Sequence, residues 1–316
     1  MDYPEIQKPV AHLLAATDEI LKEEIGGHIA LIQKLQSRTP ILKGKKIRST
    51  FLFLLAGLHD AISDDLPRIA AALEMFHLSS LIHDDIMDNS QWRRGEKTLN
   101  THFGSTLSVL WGDYLFIHSL HLINSLARPG LIDILIETSK QMVEGQILEF
   151  GNNFNYDSDL DSYYSIIRHK TAVLFVAAAR VVALIKGAQG GAAGEGAKLG
   201  EFGDHFGMTF QISDDLLDIF SGNTGKDQFR DVQEGKITLP YILLLKKAPE
   251  AGRRCLAENR TAELLDLLAT HRIQEEALAV IEGFLASGRR YLEPFPSSPF
   301  KLSLQRLLPF VAHRDF

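Results

Sequence analysis

Apolar residues recur at three- and four-residue spacings along most of the chain, which is the period of one face of an α-helix. Alternation of apolar and polar residues is nearly absent, and no Asn-Gly pair marks a β-hairpin. Many of the helical segments are apolar on more than one face, which is typical of helices inside a bundle. We therefore expect an all-α protein of about ten helices. The predicted helices cover residues 10–35, 47–58, 69–87, 106–126, 131–149, 162–185, 198–220, 239–247, 262–269 and 273–291.

Glycine and proline mark the breaks between these helices. Gly26-Gly27 is expected to kink or split the first helix, and Arg128-Pro129-Gly130 to form a turn. Residues 187–196 are a Gly/Ala-rich connector that follows no strand, which excludes a dinucleotide-binding loop there. Residues 221–235 form a polar loop, and residues 294–299 introduce the C-terminal segment. None of these breaks resembles a domain linker, so we expect the whole chain to form a single domain.

The chain has 316 residues and a net charge of −7, which argues against a general nucleic-acid binder but allows an anionic substrate held by local cations. Its one cysteine, Cys255, cannot form an internal disulfide and fits a reducing compartment. The first residues lack the basic and apolar regions of a signal peptide, and no apolar run reaches transmembrane length. We therefore expect a cytoplasmic protein.

Two sets of aspartates interrupt apolar, helix-like sequence and carry the strongest functional signal. On a helix, positions i, i+3 and i+4 are neighbours, so each Asp-Asp-x-x-Asp run crowds three carboxylates onto one surface. Their repulsion favours a divalent cation, and Mg²⁺ takes carboxylate oxygens together with substrate phosphates. The alternative for one such run is an N-cap or a solvated acidic patch, but two copies inside apolar sequence favour the metal. The first aspartate set is Asp84, Asp85 and Asp88, and the second aspartate set is Asp214, Asp215 and Asp218.

Basic residues lie where a diphosphate held by these aspartates would need them. Arg93 and Arg94 follow the first aspartate set, and Lys226 and Lys236 follow the second. Arginine pairs with phosphate oxygens through a planar fork, whereas lysine acts as a compact charge. Each of them has a solvated surface cation as its alternative. Lys170 lies within apolar sequence, where an unpaired cation would be costly, so we expect it to meet an anion.

Further candidates lie on neighbouring predicted helices. Lys45 and Arg48 belong to a basic run that introduces a helix, although a solvated surface is the alternative for the lysines. His77 precedes the first aspartate set by one heptad and is either a phosphate donor or a core histidine with a satisfied hydrogen bond. Glu74 and His77 match half of a di-iron carboxylate site, but the second half is missing. Gln211 lies one turn before the second aspartate set and could point into the same cavity.

The sequence around both aspartate sets resembles the trans-isoprenyl diphosphate synthases, also called polyprenyl synthetases. Residues 81–95, Leu-Ile-His-Asp-Asp-Ile-Met-Asp-Asn-Ser-Gln-Trp-Arg-Arg-Gly, are similar to the first aspartate-rich motif of that family, and residues 210–218 to the second. The chain departs from the family pattern at Phe229, where glycine is common. The resemblance extends over nearly the whole chain, because three shorter runs also match the family: residues 112–115, 144–146 and 235–240.

The resemblance implies an all-helical fold with a deep central cavity, usually in a homodimer. It also implies a reaction in which an allylic diphosphate (dimethylallyl, geranyl or farnesyl) loses pyrophosphate, and the resulting cation alkylates isopentenyl diphosphate. About three Mg²⁺ ions per site, with Mn²⁺ as a substitute, would hold the allylic diphosphate. The product of such a reaction would partition to a membrane once its chain is long.

By position, the resemblance also implies individual roles. The Mg²⁺ ligands would be Asp84, Asp85, Asp88, Asp214 and Asp218, with Asp215 acting through water. The allylic diphosphate would be bound by Arg93, Lys170, Lys226 and Lys236. Isopentenyl diphosphate would be bound by Lys45, Arg48, His77 and Arg94. Thr171 and Gln211 would face the developing cation.

In this family the residues just before the first aspartate form the floor of the product tunnel, and an aromatic residue four or five positions upstream stops growth early. Those positions are Ser80 and Ser79, which are both small, so we expect products longer than farnesyl diphosphate. Phe76 lies roughly 12 Å further down the helix at 1.5 Å per residue. If it faces the tunnel, growth would stop at about C20–C25, as in a geranylgeranyl diphosphate synthase; if it faces away, about C30–C40 is reachable, and we favour the longer range.

Three alternatives remain open at the level of sequence. A class I terpene cyclase usually has an Asn/Ser/Glu second motif in place of the second aspartate set. A head-to-head prenyl synthase would not need Lys45, Arg48 and His77. A non-catalytic partner subunit of a heteromeric prenyl synthase would be expected to have lost aspartates or the Arg93-Arg94 pair, and this chain keeps them.

Overall fold

The structure is a computed structural model, and it describes residues 2–39, 44–93, 95–188, 194–220 and 228–312. Two candidate site residues, Arg94 and Lys226, lie outside these ranges. The α-helices of the described chain are α1 Tyr3–Gln7, α2 Ala11–Glu24, α3 Ala30–Arg38, α4 Ile47–Leu58, α5 Leu66–Met87, α6 Leu99–Phe103, α7 Ser105–Ser125, α8 Leu131–Asn152, α9 Leu160–Ile167, α10 Val173–Ala188, α11 Glu195–Phe220, α12 Arg230–Gln233, α13 Leu239–Lys247, α14 Pro249–Ala257, α15 Thr261–Thr270, α16 Ile273–Leu292 and α17 Pro299–Ala312.

The all-α prediction is confirmed, with one small exception. Trp92–Arg93 and Glu96–Lys97 form the antiparallel strands β1 and β2, in which Trp92 pairs with Lys97. The sequence predicted no strand here because each strand is too short for an alternating pattern. Gly95 closes the hairpin with a φ of +76°, a conformation that glycine adopts without a steric penalty. The hairpin follows α5 directly, so it holds Arg93 close to the first aspartate set.

Helix α5 carries the first aspartate set and packs mainly on α7 and α2. The contact with α7 is close because α7 has a glycine at the crossing: a Cβ on Gly112 would lie 2.3 Å from Nε2 of His83. Ser79 fixes the same crossing, since its hydroxyl donates to the carbonyl of Gly112 over 2.8 Å. The helix ends at Met87, and the left-handed Asn89, with a φ of +49°, turns the chain into the hairpin.

Helix α11 carries the second aspartate set, and two of its glycines pack on α10 and on the residue just before α10. A Cβ on Gly203 would lie 2.7 Å from the carbonyl oxygen of Phe175, and one on Gly207 would lie 2.4 Å from Cα of Ala172. The two backbones therefore approach closely without side chains between them. The rings of Phe175 and Phe206, 4.9 Å apart, fill the space beside this contact and contribute to the buried core.

Two predictions about helix breaks can be compared with the structure, and one of them is wrong. The split at Gly26-Gly27 is confirmed, because α2 ends at Glu24 and α3 begins at Ala30. The single helix predicted over residues 162–185 is wrong: a π-helix, Arg168–Ala172, separates α9 from α10. A π-helix inserts an extra residue into a helical run, which apolar periodicity does not reveal. Among the described residues, no helix is long and apolar enough to cross a membrane.

Candidate active site

The first aspartate set lies at the C-terminal end of α5. Asp85 is buried, and its Oδ1 accepts a hydrogen bond from Nε of Arg93 at 2.8 Å. Burial raises the pKa of Asp85, and Arg93 opposes that rise. Asp84 is half-buried; burial raises its pKa, the Lys170 ammonium opposes the rise, and the charges of Glu149 and Asp88 add to it. These carboxylates therefore lie in surroundings that favour a cation.

In the second aspartate set, Asp215 is the centre of a chain of hydrogen bonds. This residue is 4% exposed, and its two carboxylate oxygens accept from the hydroxyl of Tyr163 at 2.6 Å and from Nε2 of Gln211 at 2.7 Å. Thr171 in turn donates to Oε1 of Gln211 at 2.6 Å. Burial raises the pKa of Asp215 to about 7, although both hydrogen bonds oppose the rise. Asp215 therefore joins α11 to α9, and through Gln211 to the π-helix.

The other two residues of this set lie on the same helix and are half-buried. Asp218 accepts the main-chain N–H groups of Arg230 at 3.1 Å and Asp231 at 3.2 Å, so it anchors the first turn of α12. Burial raises the pKa of Asp218, and these two N–H groups oppose the rise. The charge of Asp214 adds to the rise in the pKa of Asp215, which shows that the set is crowded.

Two cations from the segment after α11 lie beside the last residue of the first aspartate set, Asp88. Nζ of Lys236 lies 3.3 Å from Oδ2 of Asp88 and 2.5 Å from Oε2 of Glu234. Burial alone would lower the pKa of Lys236, but the surrounding carboxylates outweigh burial and raise it. The guanidinium of Arg230 contacts Ser90 and lies 4.0 Å from Asp88. Residues after the second set thus compensate the charge of the first.

The π-helix places Lys170 in the same site. Its Nζ lies 2.5 Å from Oε2 of Glu149 on α8, so the anion that the sequence required is this carboxylate. The approach is possible because Gly145 faces the π-helix: a Cβ there would lie 2.7 Å from the main-chain nitrogen of Lys170. π-Helical turns often occur at functional sites, and this one presents Lys170 and Thr171 together.

A cavity of about 110 Å³ lies among these residues. Its walls come from α8, α9, the π-helix, α11 and the segment from α12 to α13. Five residues expected from the sequence line it: Lys170, Thr171, Gln211, Asp215 and Lys236. Ile166, Ile167 and Ile237 contribute apolar surface beside them. The cavity therefore combines cations, carboxylates and an apolar wall, as a site for a diphosphate with a hydrocarbon chain requires.

Two of the residues expected to bind isopentenyl diphosphate, Arg48 and Lys45, lie beside aromatic rings. The guanidinium carbon of Arg48 lies 5.4 Å and 5.5 Å from the ring centroids of Phe175 and Phe210. Arg48 is thus next to the turn that precedes the second aspartate set. Lys45 is exposed, with its Nζ 5.0 Å from the ring centroid of Phe310 on α17. His77 is half-buried on α5.

The residues present fit Mg²⁺ better than a di-iron centre. Glu74 accepts from the hydroxyl of Ser49 at 2.5 Å, so it ties α4 to α5. Within the ranges that the structure describes, no three His, Cys, Asp or Glu side chains form a ready-made metal cluster. Mg²⁺ does not require one, because it binds through one or two carboxylates, water and substrate phosphates. The donors around the cavity are oxygen atoms of carboxylates whose pKa values burial and mutual repulsion raise, which is the donor set that Mg²⁺ prefers.

The three residues expected to set chain length all lie on α5, but their side chains have different surroundings. Ser79 is 3% exposed and faces α7 through its hydrogen bond to Gly112. Ser80 is half-buried and donates to the carbonyl of His77 within its own helix. Phe76 is 6% exposed and packs against Phe116 of α7, with ring centroids 5.7 Å apart. Phe116 was not among the sequence candidates.

Sequence reasoning also missed Glu149, Tyr163 and Arg230. A single glutamate or tyrosine in an amphipathic helix gives no signal by type. Tyr163 lies seven residues before Lys170, so their shared helix face was the only available indication. Arg230 gave none, because an arginine in a polar loop is ordinarily solvated.

Comparisons with known proteins identify the family and the fold. Residues 30–271 match the family model described as Polyprenyl synthetase. The octaprenyl diphosphate synthase of Escherichia coli (strain K12) is 31% identical over 333 aligned positions, which cover 100% of both chains. The crystal structure of a decaprenyl diphosphate synthase from Rhodobacter capsulatus is similar with a TM-score of 0.90 and 28% identity, over 99% of both chains. A polyprenyl synthase from Caulobacter crescentus CB15, solved with calcium and isoprenyl diphosphate, gives a TM-score of 0.91 and 26% identity, over 99% of this chain and 98% of that one.

The fold and site define an isoprenyl diphosphate synthase, a type of prenyltransferase. The chain belongs to the polyprenyl synthetase family.

Proposed function

We propose that this protein is a Mg²⁺-dependent all-trans polyprenyl diphosphate synthase. It condenses isopentenyl diphosphate head-to-tail with an allylic diphosphate, repeatedly, to products longer than C15. The observation that carries this proposal is the contact between Lys236 and Asp88 at 3.3 Å, beside a cavity that Lys170 and Asp215 also line. Carboxylates and cations from separate helices thus surround one space, as binding of a metal diphosphate requires.

Five aspartates would hold the metal. Mg²⁺ supplies charge neutralisation of the departing pyrophosphate, and we propose about three ions per site, for which Mn²⁺ could substitute. The calcium and isoprenyl diphosphate in the Caulobacter crescentus enzyme support a divalent cation beside the diphosphate. Asp215, which already accepts two hydrogen bonds from Tyr163 and Gln211, would act through water. The metal ligands in this proposal are Asp84, Asp85, Asp88, Asp214 and Asp218.

The basic residues divide between the two substrates. Arg93, Lys170 and Lys236, together with Lys226, would bind the allylic diphosphate and stabilise the charge that develops on it. Lys45, Arg48 and His77, together with Arg94, would bind isopentenyl diphosphate. Thr171 and Gln211 would turn their side-chain oxygens toward the allylic cation. Departing pyrophosphate would take the final proton, so no protein base is required.

The apolar wall of the cavity protects the cation from water. Ile166, Ile167 and Ile237 line the cavity beside the cations. Because a water molecule that reached the allylic cation would end the chain as an alcohol, exclusion of water is as necessary as charge neutralisation.

We propose a product of about C30–C40, with the small Ser80 leaving room for growth along α5. The whole-length similarity to an octaprenyl diphosphate synthase supports this range. A geranylgeranyl-type product, about C20–C25, is the alternative if Phe76 and Phe116 close the tunnel.

We also propose that the protein is a homodimer through α7 and α8. Both helices present large apolar side chains to solvent, including Ile117, which is 61% exposed. On α8 the exposed residues recur at seven-, four- and three-residue spacings, as in a helix face that packs against another helix. This α8 stripe consists of Ile136, Val143, Ile147 and Phe150. The enzyme would work in the cytoplasm and release its product to a membrane.

The non-catalytic partner subunit is not favoured, because the chain keeps both aspartate sets, Asp215 lines the cavity, and Asp88 lies 3.3 Å from Lys236, which also lines it. The test is a pyrophosphate-release assay of the isolated chain with Mg²⁺. We expect release only when an allylic diphosphate and isopentenyl diphosphate are both present, and loss of release with a chelator. Release from the allylic diphosphate alone would indicate a terpene cyclase or a head-to-head synthase. No release until a second protein is added would indicate a partner subunit.

A further inference from the structure

Arg230 contacts both aspartate sets, although neither its type nor its position suggested a role. Its main-chain N–H donates to Oδ1 of Asp218 at 3.1 Å. The preceding residue, Phe229, has a φ of +61° and is 5% exposed, so a buried bulky side chain holds a left-handed conformation that usually requires glycine. This turn directs the N–H of Arg230 at the second aspartate set.

The guanidinium of Arg230 points the other way, to the end of α5. Its terminal nitrogen donates to the hydroxyl of Ser90 and lies 4.0 Å from Oδ2 of Asp88. Its Nε lies 2.6 Å from Oε1 of Glu234, which fixes the plane of the fork. A single residue therefore reaches both walls of the site.

Ser90 is a firm anchor for this contact. It is 7% exposed, and its main-chain N–H donates to the carbonyl of Asp85 at 2.9 Å. Its own carbonyl accepts from the hydroxyl of Thr98 at 2.7 Å, just beyond the hairpin. The position of Ser90 is therefore tied by a hydrogen bond to the last turn of α5, where the first aspartate set lies.

We propose that Arg230 is a positioning residue that fixes the separation of the two aspartate sets, through its main-chain contact with Asp218 and its side-chain contact with Ser90. The inference rests on the proposed diphosphate site, because the separation matters only if one metal diphosphate bridges the two sets. Arg230 itself need not touch the substrate.

The effect of removing the Arg230 side chain on Mg²⁺ binding separates a positioning role from a purely electrostatic one, because the two roles predict opposite changes in affinity. Removal of a cation beside carboxylates should strengthen their attraction for Mg²⁺. Loss of a positioning contact should weaken Mg²⁺ binding, because outer contacts that orient metal ligands typically contribute about 10- to 100-fold to metal affinity. The side-chain variant Arg230→Met keeps the aliphatic stem and the main-chain N–H that Asp218 accepts, and it removes the guanidinium contacts with Ser90, Asp88 and Glu234.

The experiment is calorimetric titration of the full-length protein with Mg²⁺, alone and with inorganic pyrophosphate. We expect Arg230→Met to weaken binding about tenfold. Ser90→Ala should weaken it by a smaller factor, and the double variant should be no worse than Arg230→Met, because both changes break one contact. Arg230→Lys should recover only part of the Mg²⁺ affinity that Arg230→Met loses, since lysine lacks the planar fork that reaches Ser90 and Glu234 together. Arg289→Met, which removes an exposed ion pair with Glu282 on α16, is the matched control and should bind as wild type.

Unchanged or tighter binding by Arg230→Met would overturn the proposal, as would full recovery by Arg230→Lys with a silent Ser90→Ala. If Arg230→Met fails to fold, which circular dichroism reports, the Ser90→Ala and Arg230→Lys comparison decides alone. Wild-type protein that binds neither Mg²⁺ nor pyrophosphate would instead contradict the proposed function, and with it the positioning role of Arg230.

Discussion

Nζ of Lys236 lies 3.3 Å from Oδ2 of Asp88, so a lysine that follows the second aspartate set neutralises the last member of the first. The two residues are 148 positions apart in the chain. Their contact means that the carboxylates of α5 and the cations after α11 share one charged space. A diphosphate bound there would displace the carboxylate from the lysine and take its place, since phosphate oxygens are strong partners for an ammonium.

Replacement of Lys236 tests this shared space. Removal of one pre-organised donor to a developing anion typically costs about 10²–10³ in rate, so we expect Lys236→Met to lower kcat/KM for the allylic diphosphate by about 100- to 1,000-fold. Lys236→Arg, which keeps the charge, should recover part of the activity. Lys247→Met removes an exposed ion pair with Glu276 and is the control. Equal kcat/KM for Lys236→Met and the wild type would remove Lys236 from the site.

Asp215 predicts a pH dependence of stability in metal-free protein. Burial raises its pKa from the ordinary value of 3.8 to about 7. Between those values the folded state keeps a proton that the unfolded state has released, so the free energy of unfolding falls as pH rises through this window. Asp215→Asn cannot ionise and should lose less stability over the same range.

The measurement is urea unfolding with a chelator at about pH 5 and about pH 8, which cover the upper part of that window. Wild type should lose more unfolding free energy between the two than Asp215→Asn. Added Mg²⁺ should narrow the difference, because a nearby cation favours the ionised carboxylate. An equal loss in both proteins would mean that Asp215 is already ionised in the metal-free fold.

Much of the fold and the site follows from the sequence, and the exceptions have physical causes. Ile47–Leu58 and Leu239–Lys247 were predicted to the residue because their apolar faces begin and end abruptly. Helix α17 was missed because prolines surround and interrupt it, and Pro309 lies inside it. The aspartates and Lys170 were found because charge in apolar sequence is costly unless it is paired.

The contacts that organise the site are different in kind. The bonds of Lys170 to Glu149 and of Arg230 to Ser90 join residues from separate elements. No local pattern encodes such a pair, because each partner is chosen by the packing of helices far apart in sequence. The π-helix at Lys170 is invisible for a related reason: it shifts the register of one helix by a single residue.

Product length tests the proposed product tunnel along α5. We expect Ser80→Phe to shorten the product, because Ser80 is half-buried and a ring there would reach into the proposed tunnel. Phe76→Ala should lengthen it if Phe76 and Phe116 form the floor, and Phe116→Ala should then act likewise. Chromatographic sizing of the products is the measurement. Unchanged product length in Phe76→Ala would exclude Phe76 as the floor.

Ser79→Phe serves as the contrast to Ser80→Phe. Ser79 faces α7 at its close contact with Gly112, so a ring there would overpack the helix crossing. Overpacking typically costs about 1–3 kcal/mol, so we expect a correspondingly lower melting temperature with no specific shortening. A stable Ser79→Phe enzyme with a short product would reverse the assignment of the two serines.

The α8 stripe predicts the oligomeric state. Ile147 is 65% exposed and Val143 is 60% exposed, and a homodimer would bury both. The double variant Val143→Glu/Ile147→Glu should place charges in that interface and shift the protein to monomer in light scattering. Leu302→Glu changes a residue that is 47% exposed on α17 and should leave the dimer intact. A monomeric wild type would refute this interface.

The most direct measurement is turnover of the isolated chain. Farnesyl diphosphate, labelled isopentenyl diphosphate and Mg²⁺ are incubated with the pure protein, and the extracted products are sized. We expect a ladder that ends at about C30–C40, abolished by a chelator and by Asp88→Asn. Recovery of farnesyl diphosphate alone, with no incorporated label, would contradict a polyprenyl diphosphate synthase.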